Sequence, residues 1–151
     1  MGMIEGVILT PLRIIPGENG DVLHAIKVTD PSFAGFGEAY FSTVNKDGIK
    51  AWKRHRKMTL NLVVPVGEIK FVMYDDRQDS STFGKISEII LSRSNYQRLT
   101  VPPMIWMGFK GLGKELNMLL NISNIPHDPD EVDRQDAFEN NIGYDWEKDH
   151  T

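Results

Sequence analysis

The chain has 151 residues, a net charge of −4, 40% hydrophobic and 25% charged residues, and no cysteine. That is the size and composition of one globular domain with a single core. No global positive field favours nucleic acid, and disulfides, thiolate catalysis and thiolate metal sites are excluded. No apolar run approaches the ~20 residues of a membrane span, and the N-terminus lacks a signal-peptide core. The expectation is a cytoplasmic protein with neither a membrane nor a nucleic-acid partner.

Short apolar segments punctuated by glycine and proline favour an all-β domain. Gly6 to Arg13 reads as a first strand, and Pro16 to Asp21 as a turn cluster. Asp21 to Lys27 is a second short segment with some helical character. Phe36 to Val44 alternates as a strand and closes at Asn45-Lys46-Asp47-Gly48. Ile49 to Val64 is long and strand-like, and Pro65-Val66-Gly67 turns it into a strand from Glu68 to Asp75. Asp76 to Gly84 is a polar loop. Lys85 to Ser92, Leu99 to Val101, Ile105 to Leu112 and Leu116 to Ile125 are further strands, with a rigid Pro102-Pro103 turn among them. The acidic tail reads as loop or short helix. Some nine strands at near-regular spacing predict a sandwich or double-sheet jelly roll in one domain spanning 1–151.

The stretch Ala51 to Arg77 carries the chemistry. If its first strand is continuous, Lys53, His55, Lys57, Thr59 and Asn61 share one face, and Met58, Leu60, Leu62 and Val64 share the other. A row with two ammonium groups and an imidazole invites an anionic ligand. The same residues also suit a solvated strand face.

Four histidines, His24, His55, His127 and His150, lie too far apart in sequence to share a metal ion from one strand or helix, so no metal and no cofactor is expected. Like charge on Lys53 and Lys57 works against an imidazolium at His55, and a neutral imidazole accepts a proton. Asp136, Glu139 and Asp145 are available to orient it. Of the aromatics Tyr40, Trp52, Tyr74, Trp106 and Trp146, some line a sugar or base pocket or all pack in a core.

Four segments, in order, resemble dTDP-4-dehydrorhamnose 3,5-epimerases and their cupin-fold relatives, which include sugar 3,4-ketoisomerases. They are Gly48-Ile49-Lys50-Ala51-Trp52-Lys53-Arg54-His55; Val66-Gly67-Glu68-Ile69-Lys70 with Tyr74-Asp75-Asp76-Arg77; Leu99 to Phe109; and the tail with Pro129-Asp130-Glu131 and Ile142-Gly143-Tyr144-Asp145-Trp146. The resemblance covers roughly Phe36 to Trp146. It implies a cupin double-stranded β-helix, a homodimer with exchanged strands, and a dTDP-linked 4-keto-6-deoxy sugar in the barrel mouth. An apolar first strand with Val7, Ile8 and Leu9 also makes a dimer plausible. The chain departs from the family's pattern at several positions. Lys53 stands where the family carries its catalytic histidine, Lys50 where it carries arginine, Met107 at a second histidine and Leu120 at the tyrosine acid. The aspartate that partners the histidine falls near Glu139.

Two readings follow. In one, the chain is a nucleotide-sugar epimerase or isomerase with a rearranged site. His55 or Lys53 is then the base, Glu139 orients or relays, and Lys50, Arg54 and Lys57 hold diphosphate or the developing enolate, with Asn61, Tyr74 and Trp106 as further substrate contacts. In the other, the acid–base set is lost and the cupin binds a sugar nucleotide without turnover. A row of cations facing a barrel mouth weighs toward the enzyme, because it is costly to hold without an anion.

Overall fold

A computed structural model describes residues 3–147. Twelve strands follow in chain order: β1 (Ile8–Pro11), β2 (Ile14–Ile15), β3 (Val22–Leu23), β4 (Glu38–Thr43), β5 (Ile49–His55), β6 (Leu60–Val66), β7 (Glu68–Tyr74), β8 (Ile86–Ser92), β9 (Gln97–Val101), β10 (Trp106–Gly111), β11 (Met118–Ser123) and β12 (Val132–Arg134). One sheet has the order β1-β9-β6-β11-β4 and the other β12-β5-β10-β7-β8, with β2 and β3 forming a small ribbon. All ladders between these strands are antiparallel. This is the jelly roll expected from the spacing of the strands.

The main core lies between the sheets and follows the period of two. Leu60, Leu62 and Val64 of β6 meet Ile69, Phe71 and Met73 of β7. Val72 of β7 points the other way. There it joins Trp52, Trp106, Ile142 and Trp146 in a second apolar cluster on the outer face of the β5-containing sheet. The tail therefore packs as a strap over that face, and Trp146 is buried against Trp52, ring centroids 5.2 Å apart. Gly108 of β10 allows this close approach, since a Cβ there would lie 2.4 Å from the Ala51 Cβ and 3.0 Å from the Trp146 ring.

Three expectations change. The stretch Ile49 to Val64 is two strands, because the chain crosses between sheets at a corner spanning Arg56 to Thr59. Three of the corner's four backbone donors go to side chains. Lys57 and Met58 donate to Glu131 Oε2 at 3.0 and 3.2 Å, and Thr59 donates to Asn124 Oδ1 at 2.8 Å. Asp21 to Lys27 contains strand β3 rather than a helix. The tail supplies β12, preceded by one 3₁₀ turn at Pro129–Glu131 whose Asp128 cap accepts from the Asp130 amide at 3.0 Å.

Candidate active site

Residues of both sheets line a cavity of about 610 Å³, well within the range of small-molecule sites. One wall is β5 with β10 and β12. It contributes Lys50, Lys53, His55, Met107 and Arg134. The opposite wall is β4 with β11 and β6. It contributes Glu38, Tyr40, Asn121, Leu60 and Leu62. His127, from the segment after β11, also lines the space.

His55 is the last residue of β5, and its Nδ1 is hydrogen-bonded to Glu131 Oε1. Glu131 is 2% exposed. Burial alone would raise its carboxyl pKa. The hydrogen bond from His55 and those from the Lys57 and Met58 amides outweigh burial, and the carboxyl sits below its ordinary value. An ionised carboxylate only accepts, so His55 Nδ1 carries a proton, and in the neutral imidazole Nε2 is the nitrogen with the lone pair. Backbone pairing fixes this geometry. Val132 pairs with His55 and Arg134 with Lys53, while the Arg56 amide donates to the Glu131 carbonyl at 2.8 Å.

Lys50 and Lys53 are three residues apart, and strict alternation would send them to opposite faces. The ladder with β10 shifts register between Met107 and Phe109, so both lysines line the cavity. Lys50 Nζ crosses to the other wall, donating to the Thr43 carbonyl at 2.8 Å and to Ser42 Oγ at 3.2 Å. The Lys53 ammonium has no carboxylate or hydrogen-bond partner among the described residues. Burial first, then the Arg134 guanidinium, then the Lys50 ammonium hold its pKa below the ordinary lysine value. Across the cavity, Asn121 Nδ2 donates to the Tyr40 oxygen at 2.8 Å, while Asn121 Oδ1 is buried without a partner.

The other candidates from the sequence lie elsewhere. Arg54, adjacent to His55, points to the outer face. It holds Asp133 at 2.8 Å and Asp76 at 3.1 Å, and its guanidinium lies 4.8 Å from the Trp106 ring centroid. Trp106 Nε1 donates to Asp76 at 2.9 Å, and Tyr74 packs against the same outer cluster. Lys57 sits at the corner between sheets. Asn61 is buried behind β6, donating to the Ser32 carbonyl at 3.2 Å and accepting from Thr100 at 2.6 Å. On β6 it is therefore the apolar row that faces the cavity. Glu139 is exposed and donates its amide to Asp136 at 2.8 Å; Glu131, not Glu139, meets the imidazole. Leu120 lies on β11 beside Asn121, and the tyrosine in the cavity is Tyr40. His150 lies outside the described residues. Among those residues no group of three metal-ligating side chains occurs, and no helix is long and apolar enough to cross a membrane.

The sequence placed Tyr40 only among the aromatics and Glu131 only in the tail motif, and assigned neither to the acid–base set. The Asp128-Pro129 turn ahead of Val132 was the available signal for Glu131. For Tyr40 it was the alternation Glu38, Tyr40, Ser42 along one strand face.

The dTDP-4-dehydrorhamnose 3,5-epimerase family matches residues 40–151. The crystal structure of a dTDP sugar isomerase from Desulfovibrio desulfuricans superposes with a TM-score of 0.92 at 42% identity, covering 95% of this chain and 92% of that one. The probable low-salt glycan biosynthesis epimerase Agl13 of Haloferax volcanii is 33% identical over 98 residues. That match takes in 64% of this chain but 63% of the relative, less than two thirds of its length. The spore coat polysaccharide biosynthesis protein SpsL of Bacillus subtilis is 25% identical over 146 residues, 95% of this chain and 97% of the relative.

Proposed function

Because this chain belongs to the dTDP-4-dehydrorhamnose 3,5-epimerase family, we propose that it acts on a dTDP-linked 4-keto-6-deoxyhexose, removing a proton from the carbon beside the ketone in the making of a surface glycan. The observation that carries this reading is the His55–Glu131 pair opening onto a cavity that also holds Lys53 and Tyr40.

The reaction is proton transfer, and it balances without a cofactor. Glu131 fixes the imidazole tautomer, and His55 Nε2 accepts the proton. The electron pair left behind spreads onto the ketone oxygen, where Lys53 meets the developing charge. Inversion requires a proton returned to the other face of the same carbon. Tyr40 stands on the opposite wall, its oxygen steadied by Asn121, and is the donor. Lys50 and Arg134 supply positive charge for the diphosphate. Leu60, Leu62 and the neighbouring apolar wall keep water from the reacting carbon.

This reading takes the working unit as a homodimer, supported by the exposed apolar side chains of Ile8 on the end strand β1 and of Ile15 and Val22 on the β2–β3 ribbon. It takes the cytoplasm as the compartment, in keeping with a chain that has no cysteine.

The test is to incubate the protein with dTDP-4-keto-6-deoxyglucose in deuterated water and follow the sugar by NMR. Deuterium entering at C3 or C5 is the expected result of epimerisation, whereas deuterium delivered to C4 would mark ketoisomerisation. Tight binding with no exchange would instead make the chain a sugar-nucleotide-binding module.

A further inference from the structure

We propose that Lys53 is a covalent catalyst: its amine condenses with the ketone carbon of the substrate to form an imine, and His55 removes the neighbouring proton from that adduct. The inference rests on the proton abstraction proposed above and deepens it, replacing a hydrogen bond to the ketone by a bond to its carbon.

Three observations converge on Lys53. It lines the cavity on the same wall as His55, two residues earlier on β5, so a ketone held at its Nζ presents an adjacent carbon to the imidazole. No carboxylate among the described residues pairs with it, whereas Lys50 and Arg54 are tied to acceptors. Its neighbours are the cations Arg134, its register partner on β12, and Lys50. A lysine in that company keeps a larger share of free amine than one in water, and the free amine is the nucleophile. A group meant only to place positive charge on an oxyanion would gain from a neighbouring carboxylate that keeps it charged. Lys53 has the opposite surroundings.

The step balances. The Nζ lone pair adds to the carbonyl carbon, one amine proton passes to the oxygen to give a carbinolamine, and that hydroxyl takes a second proton from solvent and leaves as water, so that a protonated imine remains. His55 Nε2 takes the proton from the adjacent carbon, and that C–H electron pair forms a carbon–carbon double bond as the C=N⁺ π pair returns to Nζ, giving a neutral enamine. Reprotonation from the Tyr40 side restores the imine with inverted configuration. Water then hydrolyses it, returning the ketone and the free amine. No oxidant or reductant takes part.

The experiment is reductive trapping. The protein is incubated with dTDP-4-keto-6-deoxyglucose and sodium cyanoborohydride, digested, and read by mass spectrometry, alongside deuterium exchange in wild type and Lys53→Arg. Calorimetric binding of dTDP to both confirms that the arginine variant is folded. Expected are a reduced sugar adduct on Lys53 and a loss of exchange of about 100-fold or more in Lys53→Arg, which keeps the charge but not the nucleophile. Three results would overturn the imine while leaving the proposed function standing: wild-type exchange with no adduct, an adduct confined to another lysine, or exchange in Lys53→Arg within a few-fold of wild type. Absence of both exchange and adduct in the wild type would overturn the two together.

Discussion

Glu131 and His55, 76 positions apart in sequence, meet as a hydrogen-bonded pair because β12 lies antiparallel on the edge of β5. The same carboxylate caps the corner amides of Lys57 and Met58. One buried group thus shapes the turn between sheets and sets the tautomer of the imidazole. Glu131→Gln keeps the size and loses the charge. Its amide nitrogen can donate to Nδ1 and select the wrong tautomer. The account predicts a fall in kcat of about 10²–10⁴-fold with dTDP affinity unchanged, checked by steady-state kinetics and calorimetry.

Tyr40 and His55 occupy opposite walls, and that opposition is what inversion requires. Tyr40→Phe removes the donor and leaves the base. The expected outcome is loss of the epimeric product by about 10²-fold or more, while His55 still exchanges the substrate proton for deuterium on its own face. NMR resolves the two, since washout with retained configuration differs from conversion.

Asp75 is fully buried below the sheet end and collects Arg77 Nε at 2.9 Å, the Arg77 amide at 3.0 Å, and the hydroxyls of Ser80 and Thr82 at 2.6 Å each. Burial alone would raise its pKa. The bonds from Arg77, Ser80 and Thr82 reverse this and hold it far below the ordinary 3.8. With the folded value depressed, the contribution to stability is fully present above pH 3.8 and is lost as pH falls toward the folded value. Asp75→Asn is expected to lose about 3 kcal/mol at neutral pH and to show a shallower decline in stability on acidification. Urea unfolding as a function of pH measures both.

Much of the architecture was legible because burial follows a period of two. Ile69, Phe71 and Met73 against Lys70, Val72 and Tyr74 reads directly as a strand with two different faces. The corner at Arg56 to Thr59 was not legible, because the side chains that take over its backbone hydrogen bonds, Glu131 and Asn124, come from more than 60 residues away. That hidden corner is why Asn61 was expected in the polar row and is instead buried behind β6. The site was half visible. His55 and Lys53 stood out by residue type. The placement of Lys50 beside them depends on a register shift opposite Gly108 that no local pattern announces. Glu131 is a tertiary partner, and nearby carboxylates such as Glu139 are indistinguishable from it by composition.

Ile8 on the edge strand β1 is 46% exposed, and Ile15 and Val22 lie on the adjoining ribbon. If this edge joins two copies, Ile8→Lys places a charge in the interface and shifts the equilibrium to monomer. Sedimentation velocity at micromolar concentration should show a wild-type species of twice the chain mass and a variant of single mass. A wild-type monomer would remove the dimer from the account.

The most direct measurement is the rate at which dTDP-4-keto-6-deoxyglucose takes up deuterium beside its ketone, in wild type and in His55→Gln side by side. The account predicts catalysed uptake at C3 or C5 by the wild type and a decrease of about 10²–10⁴-fold in the variant, with dTDP binding intact in both. Equal uptake by the two proteins would contradict it, since the proton would then be leaving without the imidazole.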